Sequence, residues 1–387
     1  MTPPSQSVPL GVPLGVYVHW PYCARICPYC DFNVVRDRGR DAEKAALADA
    51  IIADLIAHAA LTGPRRLVSI FLGGGTPSLM APDHAARIIE TTRRLWTAAP
   101  DLEVTLEANP TDAEAGRFAA LAQAGVNRLS LGVQSLDDAS LKILGRNHDA
   151  AAARRAIDRA GAAFDRLSID LIYALPGQSP AAWAAELGAA IALGPGHVSP
   201  YQLTIEPGTA FHRAVTRGTL KPPGPDLAAD LYETTQSVLE AAGFEAYEVS
   251  NHARGEAARS RHNLIYWRGQ DYVGVGPGAH GRLTLAEGRW ATAAPRPIAD
   301  YIDQVAREGA GSARERLSDR DVALERLLMG LRTLEGVAMA DLAALSIDAA
   351  RLHSLEAFVS VRAGRLITTA AGRPVLDRII GELADGG

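Results

Sequence analysis

The sequence predicts an α/β fold, a partial (β/α)6 barrel followed by a smaller, mostly helical C-terminal domain. Three observations carry this expectation. Six short, apolar, β-prone runs alternate with six helical patterns between residues 16 and 242, and such alternation implies a parallel sheet covered on both faces. Beyond residue 300 the apolar spacing turns helical, with a clear amphipathic segment at Asp319–Leu334. The chain has 387 residues, of which 48% are hydrophobic and 21% charged, enough for one large barrel plus an appendage and unlike a disordered or collagenous chain. Six units fall short of a closed eight-unit barrel; a doubly wound open sheet is the other arrangement the alternation allows. In either, ligands gather at the C-terminal ends of the strands.

Taken in order, residues 1–16 are rich in Pro and Gly and read as a loose lead-in. The strands follow at Val16–His19, Leu67–Leu72, Leu102–Glu107, Arg128–Val133, Arg166–Ile172 and His197–Leu203. Helices are expected at Asp41–Ala60, Asp83–Trp96, Asp112–Ala124, Asp137–Ala160, Pro180–Leu193 and Asp226–Ala242, several opening on Ser, Thr or Asp and closing on Gly125, Gly194 or Gly243. The barrel domain thus spans 17–243. Residues 244–299, richer in aromatics, His and Gly, read as an irregular extension over the barrel mouth, and 300–387 as the C-terminal domain.

Charge excludes some partners. With 39 Lys+Arg against 44 Asp+Glu, the net charge is -5, so no bulk electrostatic grip on nucleic acid is expected. The opening MTPPSQSVPLGVPLGV lacks a basic n-region and an unbroken apolar h-region. Charged, Gly or Pro residues interrupt every apolar stretch before it reaches bilayer length. A cytoplasmic protein is the expectation.

The three cysteines, Cys23, Cys27 and Cys30, form a C-x3-C-x2-C run directly after the first strand. An odd, tightly spaced set in a reducing compartment points to metal ligation or redox chemistry. A four-iron cluster needs a ligand at each of four corners, and three thiolates leave one iron open to a small chelating molecule. A structural zinc with His19 or another His as fourth ligand is the competing use. Zinc knuckles bring ligands in pairs from two separated places, whereas here all three come from one loop.

Polar residues mark the other strand ends. Gly73-Gly74-Gly75-Thr76 follows the second strand, and consecutive glycines let backbone N–H groups approach a ligand; the run matches neither G-x-G-x-x-G nor the Walker A pattern. Glu107 ends the third strand, Gln134 the fourth and Asp170 lies on the fifth, with Gln202, Thr204 and Glu206 at the sixth. A buried polar side chain must find a partner or a ligand, and repetition on several strands favours a shared cavity.

C-x3-C-x2-C with an aromatic, Tyr29, before the last cysteine resembles the signature of the radical S-adenosylmethionine (SAM) enzymes, whose fold is a partial (β/α)6 barrel. The resemblance implies a [4Fe-4S] cluster on Cys23, Cys27 and Cys30, with SAM on the fourth iron. It is most specific to the coproporphyrinogen-oxidase-like branch and runs from about Tyr17 to Gly281, with a weaker echo at Glu325–Val337. In that branch the positions matching Tyr17, Tyr29, Gly74, Gly75, Thr76, Glu107, Gln134, Arg146 and Asp170 contact SAM.

The branch holds oxygen-independent coproporphyrinogen III oxidases and heme chaperones, and three features resemble the chaperones. Phe32 stands where the oxidases carry a further cysteine, only 22 residues precede Cys23, and His262-Asn-Leu-Ile-Tyr266-Trp267 matches an H-N-x-x-Y-W motif. His262 offers an imidazole for heme iron, and Tyr266 and Trp267 offer flat apolar surface for a porphyrin; on a helix His262 and Tyr266 would share a face. Some relatives carry Cys where Ser260 stands, so His252, His280 and Met329 are left as second-ligand candidates. The resemblance therefore implies a carrier of one heme per chain that hands heme to acceptor proteins, with cluster and SAM controlling heme handling or homodimer formation. The oxidase is the competing reading, and a zinc-stabilised interaction module a third.

Overall fold

A computed structural model describes residues 11–384. Its centre is a set of six parallel strands in sequence order: β1 Pro13–Trp20, β2 Arg66–Gly74, β3 Thr97–Ala108, β4 Arg128–Gln134, β5 Arg166–Tyr173 and β6 His197–Gln202. Helices Asp41–Thr62, Pro82–Leu95, Phe118–Gln123, Ala150–Ala163 and Pro180–Ile191 make the crossovers, and Pro225–Ala241 follows β6. Val16, Val18, Leu72, Leu106, Leu131 and Ile169 are fully buried, as strands covered on both faces require.

The sheet continues past both edges. With β7 Glu245–Glu248, β8 Asn251–Ala253, β9 Asp271–Val275, β10 His280–Leu285, β11 Gly288–Ala293 and β12 Ala313–Arg316, its order is β12-β11-β10-β9-β1-β2-β3-β4-β5-β6-β8-β7. The stretch expected to be irregular therefore contributes five strands, β7 to β11, to the main sheet. β9 pairs parallel to β1, while β8 pairs antiparallel to β6, so the backbone groups of both barrel edges are satisfied. Helix Arg261–Trp267 lies between these two additions.

Other expectations shift for local reasons. Of the expected lead-in, residues 1–10 lie outside the described residues, and Pro13–Val16 are already strand. The helix expected over 137–160 breaks into Asp138–Ile143 and Ala150–Ala163, because Gly145 takes a left-handed φ of 65° and Asp149 accepts Ala152 N–H as a new N-cap. The helix expected over 112–124 likewise divides into Asp112–Ala115 and Phe118–Gln123.

The C-terminal region is helical, with a small sheet inserted. Arg365–Thr368 lies between Val337–Ala338 and Val359–Arg362, both antiparallel to it. Helix Asp319–Gly330 opens on a reciprocal Ser318/Asp321 capping box. It joins helix Leu376–Ala384 in one apolar cluster through Leu327, Leu366, Ile379 and Leu383.

One finding departs from the membrane expectation. Helix Asp41–Thr62 has the length and apolarity to cross a membrane by composition alone. Here it packs inward through Leu47, Ile51 and Leu55. Its buried Asp54 carboxylate accepts Tyr301 O–H at 2.8 Å and Gly311 N–H at 2.8 Å.

Candidate metal centre and adjoining cavity

The cysteine loop leaves the end of β1 and is pinned at its base. Tyr22–Cys23 pairs with Val35–Arg36, Val35 N–H donates to Pro21 O at 2.8 Å, and Asp37 N–H to Cys23 O at 2.8 Å. At its far side Pro28 O accepts Phe211 N–H at 2.9 Å, and Pro28 lies against Gly145. None of the cysteines is in a disulfide.

Donors surround the sulfurs. Arg146 Nη1 reaches Cys27 Sγ at 3.2 Å and Tyr29 Oη at 3.4 Å, and Thr76 Oγ1 donates to Cys23 Sγ at 3.6 Å. Burial pushes the Cys23 thiol up to about 11 and raises Cys30 as well. Both therefore stay protonated until a metal displaces the proton. Three free thiols on one loop, with cationic and hydroxyl donors to the sulfurs, suit an iron–sulfur cluster.

Zinc fits less well. His19 donates from Nε2 to Asn33 O at 2.8 Å, so its Nδ1 is the acceptor for Tyr17 O–H at 3.0 Å, and no nitrogen is left for a metal. Burial lowers its pKa, keeping the ring neutral. Among the described residues no three His, Cys, Asp or Glu side chains are grouped to hold a metal ion. One zinc needs its ligands converged on a single point, whereas the corners of a cube do not.

The glycine run is anchored through its backbone amides. Gly74 N–H donates to Glu107 Oε2 at 2.9 Å, Gly75 N–H to Trp20 O at 2.8 Å and Thr76 N–H to Tyr22 O at 2.8 Å. The Gly75 and Thr76 amides tie the end of β2 to the start of the cysteine loop, and the Gly74 amide ties it to Glu107 on β3. A Cβ at Gly75 would lie 2.6 Å from the Pro21 carbonyl carbon, which is why only glycine fits.

Polar groups expected at the strand ends are present and constrained. Burial pushes Glu107 up to about 7, with Asp170 adding to the rise and the Gly74 N–H opposing it. Asp170 accepts from Ser130 Oγ at 2.9 Å and Ser168 Oγ at 3.3 Å, and burial raises its pKa too. Gln134 holds a φ of 65°, strained for a side chain of its size. Gln202 and Thr204 are exposed, and neither they nor Glu206 line the cavity described below.

Asn109 was not singled out by sequence, yet it joins the parts. Its Oδ1 accepts Arg146 Nη2 at 2.5 Å, its Nδ2 donates to Thr76 Oγ1 at 2.9 Å, and its N–H goes to Glu114 Oε2 at 2.8 Å. The available signal was a polar residue two places past a strand-ending Glu and held extended by Pro110.

Beside this centre opens a cavity of about 630 Å³, lined on that side by Tyr17, Gly74 and Glu107. Tyr266, Trp267 and Tyr272 supply aromatic wall, and His280, Arg296 and Met329 also line it. His262 does not line it. That ring is 1% exposed, with Nδ1 2.8 Å from Ser69 Oγ and Nε2 2.7 Å from Tyr266 Oη, and burial lowers its pKa to about 3. It stacks on Phe71 with centroids 5.0 Å apart. Both ring nitrogens thus have hydrogen-bond partners, and the structure buries His262, the expected heme ligand, in the core off the cavity. His252 is also buried, 3.2 Å from Gln236 Oε1 and away from the cavity. Ser260 caps the His262 helix by accepting Asn263 N–H at 3.3 Å.

Comparison with known proteins places these features in context. Residues 17–186 match the Radical SAM superfamily. A Bos taurus protein named radical S-adenosyl methionine domain-containing protein 1, mitochondrial, is 42% identical over 343 residues, spanning 86% of this chain and 76% of its own. The heme chaperone HemW of Mycobacterium tuberculosis (strain CDC 1551 / Oshkosh) is 35% identical over 374 residues, covering 96% and 94% respectively. Its Escherichia coli K12 counterpart is 41% identical over 280 residues, or 72% of each chain. Among solved structures, coproporphyrinogen III oxidase (HemN) from Escherichia coli superposes with a TM-score of 0.80 over 97% of this chain and 91% of its own; at 22% identity this likeness speaks for the fold alone. By its cysteine loop, its parallel strands and these relatives, the chain belongs to the radical SAM superfamily, in the branch of HemN and HemW.

Proposed function

We propose that the chain is a heme carrier of the HemW kind. In this reading it holds a [4Fe-4S] cluster on Cys23, Cys27 and Cys30, takes heme in the adjoining cavity and passes it to acceptor proteins in the cytoplasm, with a homodimer as a second partner state. Membership of the superfamily implies the cluster and SAM. When bound, they supply one-electron chemistry at the open iron. The chain's own groups do the holding: Arg146 and Thr76 donate to the Cys27 and Cys23 sulfurs, and these two with Tyr17, Tyr29, Gly74, Gly75, Gln134, Glu107 and Asp170 are the residues that the resemblance assigns to SAM.

The cavity is the observation that carries the reading. Its volume of about 630 Å³ lies within the ~300–1,000 Å³ typical of sites for cofactor-sized ligands, and its aromatic walls suit a flat, apolar macrocycle. Phe32, 63% exposed, offers no thiol where the oxidases carry one.

Two assays on anaerobically reconstituted protein test this. Hemin titration should give a saturable Soret shift. Incubation with coproporphyrinogen III, SAM and a reductant should leave the substrate unchanged by chromatography. Protoporphyrinogen IX formation without hemin binding would replace the carrier reading with the oxidase.

A further inference from the structure

We propose that His280, and not His262, ligates the heme iron, and that Arg296 pairs with a heme propionate. This rests on the heme-carrier reading above and deepens it to named atoms.

The chain has ten histidines, and among the described residues only His19 and His280 line the cavity. His19 is excluded because Tyr17 and Asn33 use both of its nitrogens. The ring of His280 is exposed and makes no hydrogen bond or ion pair among the described residues. An imidazole whose ring nitrogens have no protein partner, on the wall of a cavity of porphyrin scale, has what an axial iron ligand requires.

Arg296 is distinguished from the other cavity arginines in the same way. Arg282 is committed to Glu325 at 2.7 Å, Arg289 to Asp271 at 2.6 Å, and Arg326 to the Arg268 carbonyl at 2.5 Å. Arg296 makes no ion pair among the described residues. Its planar fork is therefore available to a carboxylate.

The backbone also fixes where these two residues stand. His280 begins β10 directly after the tight turn at Gly276 and Gly278, whose φ values are 102° and 76°. Asn33, on the cysteine loop, donates from Nδ2 to Pro277 O at 2.9 Å and to Arg296 O at 2.9 Å. One side chain thus ties the loop of the metal centre to the carriers of both groups.

The test uses the full-length, cluster-reconstituted chain and hemin difference spectra. His280→Ala should lose the wild-type Soret position and weaken hemin binding by about tenfold or more, since loss of even an outer-shell metal partner costs about 10–100-fold. Added imidazole should restore the wild-type spectrum, which it would not do for a merely structural loss. Arg296→Gln should weaken hemin while leaving hemin dimethyl ester, which has no free carboxylate, as the wild type binds it. His262→Gln should lower the melting temperature yet keep the hemin spectrum. Wild-type protein that binds no hemin would sink the carrier reading itself. Saturable hemin binding with an unchanged spectrum in His280→Ala would leave that reading standing and overturn this assignment, as would loss of the spectrum in a cooperatively melting His262→Gln variant.

Discussion

Glu107 ends a strand where water is scarce, and its carboxyl responds by holding its proton up to about pH 7. A carboxyl raised in this way keeps a proton that the unfolded chain releases, so its contribution makes stability fall as pH climbs from the ordinary carboxylate range to about 7, and stay level above. A cationic ligand beside it reverses the preference. SAM should therefore bind more tightly as pH rises towards 7 and then plateau, with a proton released on binding near pH 6. Calorimetry in buffers of different ionisation heat measures that release, and Glu107→Gln should abolish it; absence of proton release in the wild type at pH 6 would remove Glu107 from the SAM site. The residue was legible in sequence because a polar group at the end of an apolar strand has few other uses. His262 shows the opposite case. Its spacing to Tyr266 was legible, but the His262 ring bonds Tyr266 and Ser69 in the core, and of the pair only Tyr266 lines the cavity.

At the scale of elements, the break between helices Asp138–Ile143 and Ala150–Ala163 delivers Arg146 to the sulfurs. Helical periodicity runs through the break, so the sequence reads as one helix; the signals against it were Gly145 and the capping Asp149. Gly145 is left-handed, and a Cβ there would lie 2.7 Å from Pro28 Cδ on the cysteine loop. Gly145→Ala should cost about 1–2 kcal/mol for the left-handed backbone alone. It should also displace the loop. Iron per chain after reconstitution should then fall by more than the loss of folded protein, as thermal melting and metal analysis on the same samples would reveal. Full iron loading with an unaltered melt would mean that the contact does not position the cluster loop.

For the whole molecule, buried imidazoles set the acid limit. Burial lowers His148 and His252 to about 4 and His262 to about 3. The unfolded chain gains protons below about pH 6.5 that these residues refuse when folded, so stability is lost as pH falls from there. At pH 5 the loss is on the order of 2 kcal/mol for each of the fully buried His252 and His262. Glu107 acts in the opposite sense over the same window, so the three imidazoles outweigh one carboxyl. The urea midpoint should be lower at pH 5 than at pH 7.5, and Glu107→Gln should widen the difference; equal midpoints in both proteins would refute this account. The strand–helix alternation and the cysteine spacing were decided by the sequence alone, because both are patterns written within a few neighbouring residues. The commitments of the glycine amides, the entry of β9 into the sheet beside β1, and the burial of His262 against the exposure of His280 on the cavity wall were decided only by tertiary structure. Whether a ring nitrogen is free depends on partners such as Ser69, 193 residues from His262 in the chain, and no local pattern records a bond across that distance.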